Sequence, residues 1–404
     1  MTYIRNNNSY DAFGRLRTSG TGQRLDVEFI YDKQQEFFDE DTNGGSATVT
    51  HNTTSRDLTL LNGSTTDGEY ACMSSYPIPY TPGNSQLIDM TGVLNFANIA
   101  GGTASVFLRS SVTGSVVEEV IEQSNWVNNT SGINWQYAHI FQIDFQSLKV
   151  GSIRYSMVQN GIPVQVAKID NDNEAGTGYW QLPNLPVYYE IYNDATYTYI
   201  EIGYGNGDNA VGFRYRIVKN ASATMKAICC TVKSEGGHSL KNMEGIPKVI
   251  DMGITTATVS TTQIPILSIR PKTTFNGLPN LMIAIAESAY LQADESIRWA
   301  IINNGTLTGA SWSDVGVNES MMEYDVTATA ITGGSEVYAD YLYASSSGGK
   351  GTIDVGAGLK AGLLGKSVLW DRQGSETGVL SLVAIKSDTT DSEVLGGFRW
   401  GEIR

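Results

Sequence analysis

The chain has little cysteine, little histidine and little positive charge. Its 404 residues include 3 cysteines and 3 histidines, and 27 lysines and arginines stand against 42 aspartates and glutamates. Cys72, Cys229 and Cys230 are an odd, sparse set and make no disulfide framework. Cys229 and Cys230 are neighbours, so on a strand they point to opposite faces, one of them as a small buried hydrophobe. A formal charge of −15 argues against a nucleic-acid binder, which carries a basic stripe, and against docking on anionic lipid. The longest plain apolar run, Leu281 to Ala286, is far shorter than the roughly 20 residues of a membrane-spanning helix. Met1 to Arg5 has no apolar signal-peptide core. The expectation is a protein made, and kept soluble, in a reducing cytoplasm.

Catalytic motifs are equally sparse. His51, His139 and His238 lie far apart, and none stands in an HExxH or GxSxG context. No Gly-rich phosphate loop or CxxC pair is present. Glu118, Glu119 and Glu122 bring to mind a glycosidase pair, which needs two carboxylates flanking one sugar bond. On a strand, however, Glu118 and Glu119 face opposite sides, so the run is expected to be a solvated strand edge. The chain is therefore expected not to be an enzyme.

Helical periodicity is nearly absent, and so are heptads and repeats of fixed period. What the sequence does have is 43 glycines, 21 tyrosines and pervasive period-two alternation. Phe141, Ile143 and Phe145 alternate with Gln142, Asp144 and Gln146. Ile153, Tyr155 and Met157 run to Asn160-Gly161, and Ile162, Val164 and Val166 return, a strong hairpin signal. Asn-Gly recurs at Asn43, Asn62, Asn206, Asn276 and Asn304. The pattern predicts an all-β chain of two antiparallel, jelly-roll-like β-sandwiches behind a short extended arm. The expected limits are 1–24 for the arm, 25–237 for the first sandwich, 238–247 for a linker and 248–404 for the second sandwich. The hairpins together with Tyr188-Tyr189-Glu190-Ile191 resemble a concanavalin-like jelly roll, a fold likeness that says little about activity.

Two kinds of loop are candidate sites. Asp39-Glu40-Asp41-Thr42-Asn43-Gly44 matches the first half of a calcium loop, with Asp39, Asp41 and Asn43 as ligands and a glycine for the turn. The twelfth position is Thr50 rather than a bidentate glutamate, and an acidic hairpin loop is the alternative. Asp170 to Glu174 is a second oxygen-rich loop, without the glycine. Ca²⁺ is thus the one candidate cofactor, and none is the expectation. Tyr76, Tyr80, Tyr179 and Trp180 sit near Gly- or Pro-rich loops, where aromatics stack on sugar rings or fill subunit interfaces.

The N-terminal run Ser9-Tyr10-Asp11-Ala12-Phe13-Gly14-Arg15-Leu16-Arg17-Thr18-Ser19 reads as a docking peptide. Phe13 and Leu16 would anchor in a pocket, Gly14 would allow a tight bend, and Arg15 and Arg17 would pair with carboxylates bidentately. The alternative is an ordinary arm packed on its own domain.

Asp-Ala-Phe-Gly-Arg-Leu-Arg resembles the opening of a family of tailed-bacteriophage virion structural proteins. The likeness continues at Ser115-Val116-Val117, Ser124-Asn125-Trp126, Gly151 to Tyr155 before Asn160-Gly161, and Leu185 to Ile191. It goes on through Cys230-Thr231-Val232 before Ser234 to Gly237, and ends at Phe398 to Arg404. The resemblance implies a place in a virion rather than a reaction. It implies a homo-oligomer, expected to be a trimer, assembled in the host bacterial cytoplasm and joined to tail, neck or capsid proteins. Tyr10, Asp11, Phe13, Gly14, Arg15, Leu16 and Arg17 would be the docking residues, and the loop aromatics would favour an interface. Eight residues precede the run that begins at Ser9, so no separate N-terminal module is expected. A tail, neck or collar appendage, a head decoration protein and a glycan- or receptor-binding fibre module remain open.

Overall fold

The structure, a computed structural model, describes residues 22–35, 37–80, 83–128, 132–146, 151–171, 176–180, 183–235, 246–251, 257–259, 261–280, 283–316, 319–343, 351–354, 367–368, 378–386 and 392–403. The chain divides into two compact units, Met1–His238 and Ser239–Arg404. Both are built of antiparallel β-sheet, and the described residues include no α-helix. The chain is all-β, with sandwich-like domains.

The strands of the first unit begin with β1 (Gly22–Glu28), β2 (Phe38–Asn43), β3 (Thr48–Asn52), β4 (Asp57–Leu61) and β5 (Tyr70–Ser75). Next come β6 (Ser85–Val93), β7 (Thr103–Ser110), β8 (Val117–Glu122), β9 (His139–Phe145) and β10 (Ile153–Gln159). The last are β11 (Ile162–Ile169), β12 (Val187–Asn193), β13 (Tyr197–Asn206), β14 (Asn209–Val218) and β15 (Thr224–Glu235). One sheet has the order β11-β10-β9-β6-β15-β4-β3, with β1 also on β15; the other runs β2-β5-β12-β13-β14-β7-β8.

Alternation decides which face is buried. Phe141, Ile143 and Phe145 of β9 point into one core with Phe213 of β14 and Tyr204 of β13. Aromatic rings join the two sheets: Phe141 lies 5.0 Å from Phe213, and Phe145 5.1 Å from Tyr204, centroid to centroid. Cys230 is buried in this core, whereas Cys229 on the other face is half-buried.

Turn chemistry matches the local backbone at two of the six Asn-Gly pairs. Asn160 and Gly161 have φ of 52° and 76°, and Asn276 and Gly277 have 51° and 77°, the left-handed pair a type I′ hairpin requires. At Asn206-Gly207 the turn slips by one residue, because Asn206 still pairs with Asn209.

The second unit contains two six-stranded sheets. Ser392–Ile403 pairs with Ile246–Asp251 on one side and Ile283–Ala293 on the other. The second sheet places Leu380–Ile385 between Ile264–Pro271 and Ile297–Asn303. Trp299, Trp400, Phe398 and Leu382 share its core.

Two boundaries differ from expectation. Gly22 to Arg24, expected in the arm, belong to β1, where Gly22 and Gln23 pair with Ser234 and Lys233. Of the expected linker, 238–245 lies outside the described residues, while Ile246 and Pro247 already pair with Glu402 and Gly401. The run from Met322 to Thr332 divides into two strands, Met322–Asp325 and Ala330–Thr332. Asp325 interrupts it: its carboxylate accepts the backbone amides of Thr327 at 3.1 Å and Ala328 at 3.0 Å, which turns the chain.

Candidate functional site

The outer face of the seven-stranded sheet is where chemistry gathers. Strand register sets it out in rows. Tyr70, Tyr192, Tyr199 and Arg216 stand opposite one another across β5, β12, β13 and β14. The next row holds Cys72, Glu190, Glu201, Arg214 and Ser105. The third holds Tyr188, Gly203, Gly212 and Phe107.

Gly203 and Gly212 make room for the large rings beside them. A Cβ on Gly203 would lie 2.5 Å from the Val211 carbonyl oxygen and 3.0 Å from Tyr188 Oη. We expect Gly203→Ala to displace Tyr188 and destabilise the unit by about 1–3 kcal/mol. Urea denaturation of wild type and variant checks this, and an unchanged midpoint would mean that the sheet absorbs the methyl freely.

Glu201 is the hub. It is fully buried and accepts from Arg214 Nε at 2.8 Å and Arg109 at 3.1 Å. It also accepts from Tyr188 Oη at 2.9 Å and Tyr192 Oη at 3.0 Å. Glu118 on β8 completes the network, accepting from Arg214 at 2.8 and 2.6 Å and from Arg109 Nε at 3.1 Å. The last Arg109 nitrogen donates to the Gly207 carbonyl at 2.8 Å. Arg214 also lies over the rings of Phe107 and Tyr199, at 4.4 and 5.0 Å from their centroids.

Electrostatics follow from this packing. Burial by itself would raise the Glu201 carboxyl, but the Arg214 and Arg109 guanidiniums and the Tyr188 hydroxyl outweigh it and hold it at about 2. Burial, reinforced by Glu201, pushes the Tyr192 phenol far above its usual range. Asp194 lies lower than an ordinary carboxylate: burial opposes this, but the amides of Tyr197 and Thr196 and the Tyr199 hydroxyl prevail.

Above the network lies a groove of about 500 Å³ bordered by Tyr70, Tyr192, Tyr199, Glu190, Asp194, Arg109, Arg214 and Glu118. The Tyr192 and Tyr199 rings stack at 5.0 Å with planes 16° apart.

The candidate residues named from sequence lie elsewhere. Tyr10, Asp11, Phe13, Gly14, Arg15, Leu16 and Arg17 fall outside the described residues. Asp39, Asp41 and Asn43 form part of strand β2, not a loop. Full pairing of β2 with β5 extends them, so alternate residues stand roughly 7 Å apart along the strand and cannot wrap one cation. Asp41 instead accepts from Tyr70 Oη at 2.9 Å, and Asn43 donates to the Gly68 carbonyl at 3.0 Å. Among the described residues, no group of three or more histidine, cysteine or carboxylate side chains is placed to hold a metal ion.

Tyr80, Tyr179 and Trp180 are core residues, not loop aromatics open to a sugar or a subunit. They are 6%, 4% and 1% exposed. Trp180 meets Phe145 edge-on at 5.3 Å, and Tyr80 stacks on Phe145 at 5.9 Å. The rings fold inward because apolar area that large is costly to leave in water. Tyr76 is half-buried, with its amide bonded to the Phe37 carbonyl. Glu118 is no simple solvated edge; it is tied to two arginines. His51 and His139 bond to the carbonyls of Phe29 and Asn134.

No protein-family profile matches this sequence, and no curated protein does. Among solved structures, the endo-1,3-beta-glucanase from Streptomyces sioyaensis aligns over 55% of this chain and 99% of its own, at 12% identity and a TM-score of 0.31. The carbohydrate recognition domain of Emp47p aligns over 53% and 97%, at 10% identity and 0.22. The N-terminal CBM22 tandem domain from Paenibacillus barcinonensis Xyn10C aligns over 95% and 99%, at 9% identity and 0.25. Likeness at this level carries no argument about what this chain binds or does.

Sequence reasoning missed the hub and its partners. The signal was present in part: Tyr188, Glu190 and Tyr192 alternate, as do Tyr199 and Glu201, and Arg214 and Arg216. Period two puts each set on one face, but which faces coincide depends on register.

Proposed function

We propose that this chain is a non-enzymatic structural component of a tailed-bacteriophage virion, an oligomeric appendage of the tail, neck or collar. Its partners are other virion proteins and further copies of itself, as a homotrimer. Residues Tyr10 to Arg17 attach it, with Phe13 and Leu16 as apolar anchors and Arg15 and Arg17 setting register.

One observation supports the reading most. Three of the segments that resemble the virion family coincide with framework strands. Val187 to Ile191 lies in β12, near the middle of the seven-stranded sheet, and Cys230 to Val232 lies in β15, between β6 and β1. Phe398 to Ile403 belongs to the strand that centres a sheet of the second unit. Likeness in framework strands is what a shared scaffold would leave.

Immunogold labelling of intact particles tests the address. Label at the tail, neck or collar is expected; label spread over the head would make the chain a decoration protein. Absence of label, with the chain also missing from the particle mass spectrum, overturns the virion reading. We further expect Phe13→Ala with Arg15→Ala to abolish incorporation while circular dichroism remains that of folded β-sheet. Normal incorporation would remove the docking role. A receptor-binding fibre module is the second reading, favoured by the groove on the seven-stranded sheet.

A further inference from the structure

We propose that the groove of the first unit binds a saccharide that carries no acidic group, either neutral or amino-bearing. The inference deepens the fibre-module reading but stands on the groove alone.

The groove volume of about 500 Å³ falls within the range of small-molecule sites. Its donors are largely engaged. Every guanidinium nitrogen of Arg214 bonds to Glu201 or Glu118. Those of Arg109 bond to Glu118, Glu201 and the Gly207 carbonyl. Both arginines are already committed to carboxylates, which weakens either as a clamp for a further carboxylate, sulfate or phosphate. Acceptors predominate instead: Glu190 and Asp194 border the groove, and the phenol oxygens of Tyr70 and Tyr199, which donate to Asp41 and Asp194, keep lone pairs to accept with. Four carboxylates, counting Glu201 beneath, surround two guanidiniums, so the local field opposes an anion.

Such a surface suits a ligand rich in O–H or N–H donors along one edge. A sugar ring supplies several at fixed spacing. A point cation does not match as well, because Glu118 and Glu201 are already neutralised by arginine. The platform is also rigid before any ligand arrives. Tyr192 is tied to Glu201, and Tyr199 is held between Tyr192 and Arg214. Side chains fixed in advance lose little entropy on binding.

The test is a glycan array carrying neutral, amino-bearing and uronic or sialic acid glycans, probed with the full chain, with polylysine spotted beside them. Hits confined to neutral or amino-bearing glycans are expected. For the best hit, Glu190→Gln should weaken binding roughly tenfold, the scale of one hydrogen bond to a charged group. Tyr199→Ala should weaken it further. Thermal melts of both variants verify folding. The proposal is overturned by an array without glycan hits, by a preference for acidic glycans, or by retention of polylysine alone. It is equally overturned if both folded variants bind as wild type does. Glycan binding by a chain absent from particles would uphold this inference and remove only the virion role.

Discussion

Replacing Glu201 with alanine is expected to destabilise the first unit by about 3–5 kcal/mol, because it breaks a buried ion cluster from one side. The Arg214 and Arg109 side chains are 7% and 12% exposed, so neither can recover its hydration when the carboxylate is lost. Tyr188 and Tyr192 lose their acceptor at the same time. A loss of this size is a large fraction of the 5–15 kcal/mol that ordinarily separates folded from unfolded domains. Acid should act on the same group. In the folded unit the two guanidiniums hold the Glu201 carboxyl at about 2, below the 4.5 of an ordinary glutamate. Its contribution is therefore complete above about 4.5 and disappears as pH falls from there through about 2, on the order of 3 kcal/mol in all. Urea denaturation between pH 7 and pH 2 gives the measurement. Wild type should lose stability over the acid range, and Glu201→Ala should lose less there. Parallel pH profiles would show that other carboxylates govern acid unfolding.

Trp180→Ala should cost about 3–5 kcal/mol by opening a cavity in the core of the first unit. The ring is 1% exposed and packs against Phe145, Tyr204 and Tyr179 at centroid distances of 5.3, 5.9 and 4.9 Å. These neighbours lie on strands β9 and β13 and on the segment before β12, and paired strands cannot collapse into the space without breaking ladder hydrogen bonds. For a unit of this size the unfolding transition should fall by roughly 6–20 °C. Calorimetry of the full chain would register the shift in the transition of the first unit. A change below about 1 kcal/mol would place the ring at the surface. Tyr76→Ala, at a half-buried position, is the smaller-effect comparison.

The two outcomes locate where sequence was readable. Alternation at Phe141 to Phe145 and at Ile153 to Met157 identified strands and their buried faces, because that information lies within a few residues of chain. Asn160-Gly161 identified a hairpin for the same reason: positive φ is a local demand. Trp180 was misread because its neighbours in sequence are loop residues, while its neighbours in space are Phe145 and Tyr204, contributed by distant strands. The Asp39 to Asn43 motif was misread in the opposite direction. Its spacing fits a cation loop, but pairing with Tyr70 to Ser75 extends it into a strand.

Composition and periodicity alone thus determined that the chain is all-β, acidic and built of sandwiches. The alternation of Tyr199 with Glu201, and of Glu190 with Tyr192, is likewise written in the chain. That Glu201 should meet Arg109, 92 residues away, and share its arginines with Glu118, was decided by the strand order β12-β13-β14-β7-β8. Side-chain alternation is a property of a single strand, whereas register across five strands exists only once the sheet has closed. A site assembled from one or two residues per strand becomes visible at that level and not before.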